Sequence, residues 1–211
     1  NGARIPNPSV TIDDYLDFNN GGLICAVGEV QLQYVWLYDC VATDRGGAIY
    51  RPAQTASTNY KYGKVIVKNS KITNNMASYG GAIMIDRQYA ESEDATNNPR
   101  VNCLVQLQDC YINNNITISD SDAGAIRACP DVLGNLYLLR CEVHCNYSYG
   151  SGAAIYWNAR AYDASLVIED SAFRYNHSRG HGGAIMLEGP VDFRQTSRRN
   201  FIEYNVADCE G

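Results

Sequence analysis

Apolar residues recur along this chain in short alternating runs, and a helical spacing is absent. Val65-Ile66-Val67, Val105-Gln106-Leu107, Leu136-Tyr137-Leu138 and Leu166-Val167-Ile168 each place an apolar residue at every second position. That is the period of a short strand with one buried face. The same continuation follows every run: apolar-x-apolar-x-x-small, then x-apolar-x-x-Asn, as in Val65 to Asn75, Val105 to Asn115, Leu136 to Asn146 and Leu166 to Asn176. A second string follows in turn. It reads Gly21-Gly22-Leu23-Ile24, Gly46-Gly47-Ala48-Ile49, Gly80-Gly81-Ala82-Ile83, Ala123-Gly124-Ala125-Ile126, Gly152-Ala153-Ala154-Ile155 and Gly182-Gly183-Ala184-Ile185, at intervals of 25, 34, 43, 29 and 30 residues. Strands of this kind at a repeat of roughly 30 residues predict stacked coils.

Aligning the repeats gives three apolar columns. The first is Val10, Val35, Val65, Val105, Leu136 and Leu166; the second is Ile12, Leu37, Val67, Leu107, Leu138 and Ile168; the third is Ile24, Ile49, Ile83, Ile126, Ile155 and Ile185. A single repeat cannot close a core. Stacking repeats about 4.8 Å apart turns each column into a continuous buried ladder. The paired glycines fit a bend where a side chain would collide. The predicted fold is all-β, a right-handed parallel β-helix of about six coils and roughly 29 Å in length. Residues 1–9 read as a lead-in and 10–211 as the helix. The chain stops soon after Asn205 without a polar cap, so we expect it to be part of a longer chain or an assembly.

One polar column stands among the apolar ones: Asn75, Asn115, Asn146, Asn176 and Asn205, with Arg45 in its place in the second coil. Stacked asparagines can bond amide to amide along a solenoid. Three of them also open glycosylation sequons, Asn115-Ile-Thr117, Asn146-Tyr-Ser148 and Asn176-His-Ser178. A ladder asparagine points inward and a glycosylated one outward, so the two readings compete.

The pairing of GGAI with an aromatic-x-x-Asn element, best seen in Phe173-Arg174-Tyr175-Asn176 before Gly182-Gly183-Ala184-Ile185, resembles the repeats of chlamydial polymorphic membrane proteins. The likeness covers residues 10 to about 205. In most copies Ile72, Ile112, Val143 or Ile202 stands where those repeats have phenylalanine. The resemblance implies a β-helical passenger domain used in adhesion to host cells. The translocator barrel of that family is not in this sequence.

Composition narrows the function classes. With 45% hydrophobic residues the chain can build a core, and its net charge of −6 comes from interspersed acids and bases. No basic stripe suggests nucleic acid. No apolar run is long enough for a transmembrane helix. The 8 cysteines form no CxxC pair, which argues against a zinc site and for an oxidising compartment. Cys40, Cys110 and Cys141 align with Ser70 and Ser171 at a corner that takes small side chains. Cys110 and Cys141, as stacked neighbours, are either a disulfide or a reduced ladder. Cys103 and Cys129 lie near coil junctions and are candidates to staple a loop.

Outward positions of the first strand are Thr11, Trp36, Ile66, Gln106, Tyr137 and Val167, with Tyr38 and Leu139 in the next outward column. Tyr50, Tyr156 and Trp157 flank the GGAI strand. Trp36, Tyr38, Tyr50, Tyr137, Tyr156 and Trp157 are therefore candidates for a protein interface or a sugar-stacking platform. The insertions at Asp86 to Val101 and at Ile118 to Asp122 are candidate binding loops. Parallel β-helices also host polysaccharide lyases and glycosidases, which need carboxylate clusters in a cleft. Here Asp13, Asp14 and Asp17 gather in the first coil and Asp120 and Asp122 in a small loop, while His144, His177 and His181 are not grouped like ligands. The expected function is a non-catalytic, secreted or cell-surface structural or adhesive element. Its partners would be other protein subunits or a cell-surface receptor, with no cofactor. A carbohydrate-binding module and a polysaccharide-cleaving enzyme are the alternatives.

Overall fold

The structure is a computed structural model that describes residues 21–26, 29–52, 64–86, 104–128, 135–158, 164–189, 191–195 and 199–209. Within them every regular element is a strand and every pairing is parallel. Each coil contributes to four sheets in turn. Sheet 1 stacks Val30–Gln33, Lys64–Lys68, Leu104–Gln108, Asn135–Leu139, Ala164–Glu169 and Val191–Gln195. Sheet 2 stacks Trp36–Tyr38, Lys71–Thr73, Tyr111–Asn113, Glu142–His144, Ala172–Arg174 and Phe201–Glu203. Sheet 3 stacks Met76–Ala77, Ile116–Thr117, Tyr147–Ser148, His177–Ser178 and Val206–Ala207, and Val41 adds a single bridge to Met76. Sheet 4 holds the isoleucine strands, Ile24–Cys25, Ile49–Arg51, Ile83–Ile85, Ile126–Ala128, Ile155–Asn158 and Ile185–Glu188. Four coils carry all four strands, and shorter ones flank them, so the molecule is a parallel β-solenoid. The sequence count of about six coils included one at residues 10–12, which lie outside the described residues.

Strands this short need sharp corners, and the backbone shows how they are made. Three positions per coil lie in the left-handed region. At the corner between sheets 1 and 2 they are Tyr34, Asn69, Asp109, Arg140 and Asp170; between sheets 2 and 3 they are Asp39, Asn74, Asn114, Cys145, Tyr175 and Tyr204. Between sheets 3 and 4 the same conformation falls on Gly21, Gly46, Gly80, Gly152 and Gly182, and on Ala123 where the glycine is missing. Asn, Asp and Gly adopt this region most cheaply. The second glycine of each pair has a different task. A Cβ on Gly47 would lie 2.1 Å from the carbonyl oxygen of Gly81, and one on Gly81 2.2 Å from that of Gly124. The first glycine makes the turn, and the second lets the next coil settle on it.

The core is the set of inward ladders. Val65, Val67, Ile72, Ile83, Val105, Leu107, Ile112, Ile126, Leu136, Val143, Ile155, Leu166, Ile168 and Phe173 have no measurable exposure. The isoleucine column is paired in register throughout, Ile24 to Ile49 to Ile83 to Ile126 to Ile155 to Ile185. The other two apolar columns need a correction in the second coil. Val30 and Leu32, not Val35 and Leu37, pair with Val65 and Val67. Leu37 pairs with Ile72 in sheet 2. Sheets 1 and 2 share the same alternation, so periodicity alone permits a slide of one strand. The corner chemistry decides it, because the N–H of Val35 donates to the Ser70 hydroxyl at 3.1 Å and so occupies the small-residue corner. Cys40, whose N–H donates to the Asn75 side-chain oxygen at 3.1 Å, holds the asparagine position that the sequence reading gave to Arg45. It therefore leaves the cysteine column.

Candidate interaction surface

The polar column is built inward. Asn75, Asn115, Asn146 and Asn176 are at most 1% exposed. The Asn115, Asn146 and Asn176 side-chain oxygens each accept twice from the coil before, and the Asn75 oxygen accepts the Cys40 N–H. Asn146 Oδ1, for example, takes the Asn115 N–H at 3.0 Å and the Asn115 Nδ2 at 2.9 Å. Each Nδ2 also donates sideways to a sheet 2 carbonyl: Asn75 to Leu37, Asn115 to Ile72, Asn146 to Ile112 and Asn176 to Val143. Both amide hydrogens are used, which leaves no room for a sugar on the folded chain. The third sequon residues are buried as well, with Thr117 Oγ1 donating to the Ser121 carbonyl at 3.1 Å and Ser148 Oγ to the same carbonyl at 3.0 Å. Between the two readings of this column, the geometry favours the ladder.

Cys110 and Cys141 are stacked thiols, and all six described cysteines are free. Cys110 Sγ donates to the Val67 carbonyl at 3.3 Å and Cys141 Sγ to the Leu107 carbonyl at 3.4 Å. The hydrogen bond with Cys110, in which the protonated Cys141 is the donor, followed by burial, holds the Cys141 thiol well above its ordinary range, so it stays protonated. Cys40 is pushed up to about 11 by burial and by the Asp39 charge. Neither is an activated nucleophile. Cys103 and Cys129 lie outside the described residues.

Three of the six aromatic candidates are not on the surface. Trp157 is fully buried, and Tyr50 and Tyr156 retain 6% and 7% exposure. Trp157 points into the core beside Ala128, whose small side chain leaves it space. Tyr50 donates to Asp86 at 2.8 Å, and Asp86 also pairs with Arg45. Burial pushes the Tyr156 hydroxyl up to about 12. Alternation along sheet 4 places Tyr50, Met84 and Tyr156 outward, yet all three are buried. This cannot be read from one strand's periodicity.

The other three remain accessible and fall on two faces. Trp36 and Tyr38 lie on sheet 2, whose outward columns read Trp36, Lys71, Tyr111, Glu142, Ala172, Phe201 and Tyr38, Thr73, Asn113, His144, Arg174, Glu203. Trp36 is 54% exposed, lies against Tyr38 at 4.7 Å, donates from Nε1 to Thr73 at 3.0 Å and has the Lys71 ammonium over its ring. Tyr111 meets His144 edge-on, and Arg174 lies over Phe201. At the adjoining corner the Tyr175 and Tyr204 rings stack nearly parallel at 5.4 Å, both well exposed. Partial burial pushes the His144 imidazole down from its ordinary value. Tyr137 belongs to sheet 1, in the outward column Gln31, Ile66, Gln106, Tyr137, Val167 and Arg194.

No family model, curated protein or solved structure matches the chain. The GGAI and aromatic-x-x-Asn motifs therefore stand here as the repeat signature of the parallel β-solenoid, each with a structural task at a corner or in the core.

Catalytic candidates scatter. His177 pairs with Asp208 at 2.8 Å, and Asp122 accepts the Ser151 N–H at 2.8 Å and pairs with Arg127. Among the described residues no group of three or more His, Cys, Asp or Glu is placed to hold a metal. Asp13, Asp14, Asp17 and residues 87–101 of the acidic insertion lie outside the described residues. The Ile118–Asp122 excursion is pinned to sheet 3 through the Ser121 carbonyl, which accepts from Thr117 and Ser148. Sequence reasoning missed the corner between sheets 1 and 2, where Asp109, Arg140, Asp170 and Arg199 alternate in sign along the stack. Arg140 grips Asp109 at 2.5 and 2.8 Å, and Arg199 grips Asp170. This lowers Asp109 and raises Arg140 from their ordinary values. The signal was legible as charge inversion at one fixed repeat position.

Proposed function

We propose that this chain is a non-catalytic, secreted or cell-surface element that works by contact, through the aromatic stripe on sheet 2. The observation that carries the reading is that column of rings and charges, Trp36, Lys71, Tyr111 and Glu142 on consecutive coils and, past Ala172, Phe201. Trp, Tyr and Arg at half-exposed positions are the composition of contact surfaces, and a stacked scaffold presents them already ordered, which lowers the entropic cost of binding. The likeness of the repeats to chlamydial surface proteins supports the same reading, attachment to another cell or protein. A carbohydrate partner is the second reading, favoured by the exposed Tyr175–Tyr204 pair.

The test uses beads coated with the whole chain, scored for attachment to a panel of cultured cell types and to a glycan array. Wild type should attach to at least one, and Trp36→Ser combined with Phe201→Ser should reduce attachment about tenfold at an unchanged melting temperature. Retention on the array would identify sugar as the ligand. Attachment to nothing, or equal attachment by the double variant, refutes the reading.

A further inference from the structure

Sheet 1 carries a separate surface whose charges are ordered along the stack. Its outward side chains include two lysines, Lys64 and Lys68, on the second of the six stacked strands, next to Gln31 and Gln33 on the first. The next three coils present Gln106, Gln108, Asn135, Tyr137, Leu139, Ser165 and Val167, all uncharged, and then Glu169. Ile66, Tyr137, Leu139 and Val167 make the middle apolar, and Tyr137 is 37% exposed. A shallow depression of about 300 Å³ lies over Gln106, Tyr137, Leu139, Val167 and Glu169. A solvated sheet face has no need of an apolar centre flanked by cations on one side and an anion on the other.

We propose that sheet 1 is a self-association surface on which a second copy of this chain packs with its solenoid axis antiparallel. Two face-to-face arrangements are two-fold symmetric. With the axes parallel, every coil faces its own copy and the strands reverse, so Lys64 meets Lys68 of the second copy twice over. With the axes antiparallel, the two-fold passes between the coils of Gln106 and Tyr137. Lys68 then faces Glu169 of the second copy, Ile66 faces Val167, and Gln106 faces Tyr137, each twice. Glu29 faces Asp192 of the second copy, which its own Arg194 already neutralises, and Gln31 faces that arginine. Charge thus excludes the parallel arrangement and favours the antiparallel one. The face measures roughly 24 Å by 16 Å from strand spacing and rise. That is small for a permanent dimer, so the association is weak and reversible.

The surface is distinct from the sheet 2 stripe, and its test is independent of attachment. Sedimentation equilibrium of the whole chain over a concentration series should show a monomer–dimer equilibrium. Lys68→Glu alone and Glu169→Lys alone should each weaken the dimer by about tenfold, and the double exchange should restore it. Within one chain these residues are three coils apart, about 14 Å, so the rescue cannot arise inside a monomer. Tyr137→Glu should abolish the dimer, and Trp36→Ser should leave it unchanged. A wild-type chain that stays monomeric at every concentration overturns the proposal, and so does a double exchange that fails to restore association. If Tyr137→Glu does not fold, the charge exchange still decides.

Discussion

At the scale of single residues, the asparagine ladder shows how a polar side chain becomes a core residue. Burial of an amide is unfavourable unless all its hydrogen bonds are made. Here Asn146 makes four, two through its oxygen and two through its nitrogen, at 2.9 to 3.2 Å. Replacing it with alanine would leave the Asn115 backbone N–H without its acceptor and would take one partner each from the Asn115 amide, the Asn176 oxygen and the Ile112 carbonyl. We expect Asn146→Ala to cost about 3–5 kcal/mol, measured as the shift of the urea midpoint. An unchanged midpoint would mean that water replaces the ladder.

At the scale of the coil, the corners set the architecture, because each apolar strand is only a few residues long. Ala123 occupies the left-handed position where five other coils carry glycine, and its Cβ is strained there by about 1–2 kcal/mol. Part of any gain from removing it is lost to the greater freedom of glycine in the unfolded chain. Ala123→Gly is therefore expected to raise stability by about 0.5–1 kcal/mol, an unusual sign for a glycine substitution. Gly81→Ala should lower stability far more, since its new Cβ would lie 2.2 Å from the Gly124 carbonyl oxygen. Thermal melting of the two variants checks both signs, and a stabilised Gly81→Ala would contradict the stacking role given to the second glycine.

At the scale of the whole molecule, the solenoid separates what is constant from what varies. The corner between sheets 2 and 3 keeps one length, and those between sheets 1 and 2 and between sheets 3 and 4 vary by only a few residues. The fourth, between sheets 4 and 1, takes up most of the variation, from residues 52–63 and 86–103 down to 189–190. A flexible insertion of about ten Gly and Ser residues between Asp131 and Val132 should thus shift the melting temperature by no more than about 3 °C. The same insertion between Ser171 and Ala172, where the Ala172 N–H bonds the Cys141 carbonyl at 2.8 Å, should unfold the stack. The amino-acid sequence by itself determined the parallel stacked-coil architecture, the isoleucine register and the asparagine column, because each repeats at a fixed place in every coil and repetition survives any ambiguity in a single strand. It could not separate sheet 1 from sheet 2 in the second coil, since Val30-Gln31-Leu32 and Val35-Trp36-Leu37 have the same alternation. Nor could it tell that Tyr50, Tyr156 and Trp157 are buried while Trp36 and Tyr137 face outward on different sides. Periodicity reports which face of a strand a side chain takes. Whether that face meets solvent depends on what the rest of the chain lays against it, and only the tertiary structure decides that.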